Sequence, residues 1–139
     1  MMQFDEATQK LCLVNLEQIF VERDLRYWKS ELAIAKVEMA FCNNLFTLIL
    51  QESKVHKPSK YRNILGKLSQ LQQATTVFED RLQHLTLQFE GYSECDDMQC
   101  DQFYMSNHLD FREKIEKHFL QYRKLKKKLL SVIHSTKNS

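Results

Sequence analysis

Apolar residues recur along this chain at alternating steps of three and four, the repeat that keeps one face of an α-helix turned toward a partner. From Leu11 the step selects Leu11, Val14, Gln18, Val21, Leu25, Trp28, Leu32, Ala35, Met39, Cys42, Phe46 and Ile49, with Gln18 the sole polar position. From Tyr61 it selects Tyr61, Ile64, Leu68, Leu71, Thr75, Phe78, Leu82, Leu85 and Phe89, with Thr75 the exception. A third seam reads Phe111, Ile115, His118, Tyr122, Leu125, Leu129 and Val132. The pattern predicts three helices, over about 6–51, 58–90 and 105–134, joined by a short break and a 91–104 loop, with a polar tail at 135–139.

Local signals set the expected ends. Asp5 suits an N-cap, Pro58 suits a first helical position, and the residue before a proline is pushed out of the helical region. Gly91 is expected to close helix two in a left-handed conformation. Helix three has an ambiguous start, with Ser106, Asn107 or Asp110 as its cap, the last completed by Glu113. Short connections make neighbours antiparallel, so the expected fold is all-α: one domain over 1–139, an up-down-up bundle. Helix one, at about 1.5 Å per residue, is about 70 Å long against about 50 Å for the others. Either its first dozen residues overhang, the preferred reading, or it breaks near residues 22–26 to give a four-helix bundle.

Helix one carries a second apolar stripe: Leu13, Leu16, Phe20, Tyr27, Ile34, Val37, Phe41 and Leu48, interrupted by Arg23, Ser30 and Asn44. Two adjacent stripes are more than two shorter partners can cover, and a large exposed apolar patch marks an interaction surface. Leu13, Leu16, Phe20, Tyr27, Ile34 and Phe41 are therefore the expected interface for a homo-oligomer or protein partner. The competing reading is that the 91–104 loop folds over the N-terminal part of this face.

Composition narrows the class. Only two Gly and one Pro among 139 residues leave few turns, which disfavours a sheet and nearly excludes a glycine-rich phosphate loop. No stretch approaches the ~20 apolar residues that span a bilayer, so no membrane partner is expected. Residues 1–10 include Asp5 and Glu6 rather than a basic, then apolar, leader, which points to the cytoplasm.

Net charge is only +2, yet the bases cluster. An up-down-up path gathers Lys54, His56, Lys57, Lys60, Arg62 and Lys67 with Arg123, Lys124, Lys126, Lys127 and Lys128 at one end of the bundle. Acids collect at the other: Asp5, Glu6, Glu90, Glu94, Asp96, Asp97 and Asp101. Bases ending helix three complement its dipole, but those opening helix two sit at the wrong terminus for that explanation. Lys57, Lys60, Arg62, Arg123, Lys124, Lys126, Lys127 and Lys128 form the candidate anion-binding site, nucleic acid being one possible ligand. Tyr61 and Tyr122 lie on core seams, which counts against base stacking. A solvated lysine surface is the plain alternative.

Catalytic signals are missing. No Glu has a His three positions on, as a di-metal bundle requires, and His84 with Asp80 makes one pair rather than a site. No nucleophile elbow or Cys/His pairing is present. We expect no enzyme activity and no cofactor. The weak metal or thiol-redox candidate is Cys12 with Cys95 and Cys100, completed by His108 or an Asp. Cys42 and His118 read as packing residues.

Overall fold

In a computed structural model the chain is a bundle of three helices, α1 (Glu6–Gln51), α2 (Pro58–Tyr92) and α3 (Met98–Lys137). The structure describes residues 6–52, 58–92 and 98–137, and side chains within 17–52, 58–91 and 102–134; no strand occurs among the described residues. Asp5, Lys54, His56, Lys57, Glu94, Cys95, Asp96 and Asp97 lie outside it, as do the side chains of Glu6, Cys12, Leu13, Leu16, Cys100 and Asp101.

The seams become the core. Val21, Leu25, Trp28, Leu32, Ala35, Met39 and Phe46 of α1 are buried, as are Ile64, Leu68, Leu82, Leu85 and Phe89 of α2. All seven seam residues expected of α3 are buried too. Two clusters result: Trp28, Leu32, Leu85 and Phe111 anchor one half, and Met39, Phe46, Leu68 and Leu129 the other. Phe46 and Tyr61 pack with ring centroids 5.7 Å apart, which brings the end of α1 against the start of α2.

The helices are not equally spaced. α2 approaches both neighbours closely along the backbone, whereas α1 and α3 meet mainly through long side chains. Trp28 fills that wider gap, with Phe111 at 5.2 Å and His108 at 5.0 Å.

The preferred continuous helix one is observed, and two other expectations are corrected. α1 runs unbroken through residues 22–26, since no Pro or Gly interrupts it and Leu25 and Trp28 pack continuously with the core. That removes the four-helix alternative. α3 begins at Met98, so Ser106, Asn107 and Asp110 are helical residues, not caps, and most of the expected 91–104 loop is helix. The seam simply continues upstream through His108 and Tyr104, both buried. Gly91 stays helical inside α2, which ends at Tyr92. Pro58 does open α2, where its missing N–H costs no hydrogen bond.

The longer α3 also shortens the overhang. The Asp24–His108 and Glu38–Tyr122 hydrogen bonds both join residues separated by 84 in sequence. The same offset sets Met98 level with Val14, leaving about two turns of α1 beyond its neighbour.

Leu32 has no exposed surface, whereas Phe41 on the outer stripe is 66% exposed. Leu32→Ala is expected to cost about 2–5 kcal/mol in urea unfolding. A loss below about 1 kcal/mol would mean the core closes up around the vacancy, against the packing described.

Candidate functional site

α3 carries two buried histidines, and each is met by a polar group from another helix. His108, 2% exposed, donates from Nε2 to Asp24 Oδ2 at 2.9 Å. Its Nδ1 lies 3.1 Å from the Tyr104 hydroxyl, one turn earlier on α3, which donates to it. The carboxylate accepts only, so the network assigns the Nε2–H tautomer. One turn of α1 after Asp24, Trp28 covers the imidazole face. His108 was a candidate metal ligand; with both nitrogens engaged and its ring sealed, it is not open to a metal.

Ten residues further along α3, His118 Nε2 lies 2.9 Å from Thr75 Oγ1. Thr75 donates its own proton to the Leu71 carbonyl at 2.8 Å, so its oxygen accepts from His118. The polar exceptions of two separate seams thus satisfy each other. Phe78 covers the His118 ring at 4.8 Å, and burial pushes its pKa below the usual 6.5.

The third polar contact joins α1 to the basic end of α3. Tyr122 donates to Glu38 Oε1 at 3.1 Å, and Lys126 Nζ sits 2.6 Å from Glu38 Oε2. Burial first, then the Glu38 carboxylate, pushes the Tyr122 phenol well above its usual range. The same two causes raise the half-buried Cys42 thiol above its usual range.

Helical periodicity divides the expected basic patch. Lys126 faces α1 and is neutralised by Glu38. Arg123 lies on that same side, donating from Nε to the Phe119 carbonyl at 3.4 Å. Lys124, Lys127 and Lys128 instead line a groove between α3 and α2, opposite Lys67. Lys60 and Arg62 are exposed on the first turns of α2 and do not line that groove. The nominal patch is thus divided, and among the described residues the groove lysines have no ion-pair partner while Lys126 has Glu38.

The expected interface behaves differently from the core seam on the same helix. Phe20 and Tyr27 are each 57% exposed, Ile34 51%, Phe41 66% and Leu48 61%. Tyr27 and Ile34 form one wall of a shallow groove of about 240 Å³, with Phe119 opposite. Lys36 and Glu38 are the only charges between Leu32 and Gln51. Both are paired along the flanks of α1, the exposed Lys36 with Glu79 of α2 at 3.3 Å and Glu38 with α3. The outer face of that half of α1 therefore carries no charge. By length and composition alone, α1 exceeds what the count of apolar residues allowed, as the core helix of a bundle also can. An 18-residue window within Glu17–Gln51 is long and apolar enough to cross a membrane, its polar interruptions being mostly uncharged.

Cys95 and the side chains of Cys12 and Cys100 lie outside the described residues, among which no group of three potential ligands occurs. Comparison with known proteins found no match, whether to family models, curated proteins or solved structures.

The Asp24–His108 contact was legible only in part. Continuing the third seam upstream reaches His108 and Tyr104, but nothing in the spacing names Asp24 as their partner. Removing that acceptor leaves a buried donor unpaired, so Asp24→Ala is expected to cost about 1–3 kcal/mol, with Asp24→Asn restoring most of it. Equal losses in the two variants would show that the hydrogen bond to His108 is not what matters.

His118 sets a pH dependence. Its folded pKa lies below 6.5, so under acid the unfolded chain takes up a proton that the folded one refuses. This contribution to stability is complete above pH 6.5 and declines below it. Chemical denaturation from pH 7.5 to 5 is expected to show the decline, reduced in His118→Gln. Identical profiles for the two proteins would contradict that assignment.

Proposed function

We propose that this protein is a non-enzymatic interaction module that associates with a second copy of itself through the outer face of α1. The observation carrying the reading is the spacing of Phe20, Tyr27, Ile34, Phe41 and Leu48. They recur every seventh residue on a face that no other described residue covers.

The geometry favours a like partner. A stripe centred on Ile34 can meet itself across a two-fold axis, Ile34 on Ile34, with Tyr27 against Phe41 and Phe20 against Leu48 of the second copy. Every pair is apolar. With no charge on the outer face from Leu32 onward, antiparallel pairing brings no like charges together there. Ile19 and Val37, 57% and 71% exposed, widen the patch. At roughly 100 Å² for each large side chain, its area is about 700–800 Å², close to the ~800 Å² per partner of a standard stable interface.

The surface of α3 supports the contrast. Its exposed face, though it also shows Phe103, Leu109, Leu120 and Leu130, carries the i, i+4 ion pairs Arg112–Glu116, Lys114–Asp110 and Lys117–Glu113. α1 has no such set among its described residues.

Sedimentation equilibrium at micromolar concentration is expected to give a dimer. Ile34→Asp, which would place two carboxylates on the axis, is expected to give a monomer of unchanged helicity. A wild-type monomer would overturn the reading. A monomer that instead floats with neutral lipid vesicles would assign the same face to a membrane.

A further inference from the structure

The groove between α2 and α3 stands apart from the α1 face and has its own chemistry. It encloses about 750 Å³, within the range of small-molecule sites. Its floor is aliphatic: Leu71 and Ala74 from α2, Leu125 from α3. Its rim is cationic: Lys67 from α2, and Lys124, Lys127 and Lys128 from α3. Gln70 and Gln121 complete the lining, and no carboxylate joins it.

That imbalance is unusual within this molecule. The groove between α1 and α2, about 550 Å³, sets Lys29 and Lys36 against Glu79 and Asp80 and neutralises itself. Lys126, one helical position from the α2/α3 groove, has Glu38. None of the four groove lysines has an ion-pair partner among the described residues. Lys67 and Lys128 instead line the groove from opposite helices, and the neighbouring Lys128 draws the Lys67 amine below its ordinary pKa. Two ammonium groups brought together over an apolar floor repel unless an anion lies between them.

We propose that this groove binds a single-tailed anionic amphiphile. A phosphate monoester head sits between Lys67 and Lys128, and the aliphatic tail lies along Leu71, Ala74 and Leu125. The floor selects the tail. No aromatic side chain lines the groove, so a nucleobase would find nothing to stack on, whereas an alkyl chain would bury surface against three aliphatic residues. The head is selected by charge: lysines act as point cations and suit a compact dianion.

Isothermal titration calorimetry with dodecyl phosphate, below its micelle threshold, tests the proposal on the full chain. Saturable binding is expected, weakened at least tenfold in the Lys67→Glu/Lys128→Glu variant. Both positions are solvent-facing, so the variant should melt no earlier than wild type, and Lys67→Gln/Lys128→Gln serves as a second variant that inverts no charge. Amide shifts on binding should centre on Lys67, Leu71 and Leu125. Dodecyl maltoside supplies the tail without the charge, and inorganic phosphate supplies the charge without the tail; both should bind at least tenfold more weakly. Unchanged affinity in both lysine variants, equal binding of either control, or shifts centred on Ile34 and Phe41 would each overturn the proposal. The last would move the ligand to the α1 face and leave this groove empty.

Discussion

A repeating apolar seam decides which face of a helix turns inward, but not how far that helix slides along its neighbour. A slip of seven residues keeps every seam residue inside. In this bundle the slip is blocked by polar groups in the core, because a buried donor or acceptor must meet a partner at one position only. Asp24 meets His108 and Glu38 meets Tyr122 at the same offset, two heptads apart, and Thr75 meets His118 across the other interface. A slip would break three contacts together, leaving imidazoles, a phenol and carboxylates partly desolvated without partners.

The remaining features follow from that alignment. With α3 held level with α1 from Val14 onward, Trp28 falls opposite Phe111 and His108, and the wide α1/α3 interface is filled by rings. The same alignment carries Glu38 to Lys126 and, with α2 in place, Lys36 to Glu79. The few charges in the second half of α1 are thereby held in pairs along its flanks, and its outer face is left with Ile34, Val37, Phe41 and Leu48. The uncharged outer surface is thus a by-product of where those charges find partners.

α3 shows how a helix divides a run of like charge. Residues Arg123 to Lys128 read in sequence as one basic block interrupted by Leu125. A turn of about 100° per residue sends Arg123 and Lys126 toward α1, and Lys124, Lys127 and Lys128 toward α2. One side finds a carboxylate, and the other finds Lys67. The two helix ends that the sequence misread have a related cause. Gly91 and the polar residues around Asn107 are turn and cap formers by local preference, yet burial of Phe89, Tyr104 and His108 extends both helices past them.

The amino-acid order by itself determined the three helices, the inward seam of each, the break before Pro58 and the surplus apolar stripe from Leu13 to Leu48. Those are properties of periodicity and of proline geometry, which act over one or two turns. Which polar residue pairs with which, where α3 begins, and which lysines keep a counter-ion were decided only when the helices packed. Asp24 and His108 are 84 positions apart, as are Glu38 and Tyr122, and no local pattern links residues at that range. Their meeting depends on the slide and rotation of whole helices, quantities that a one-dimensional repeat leaves free.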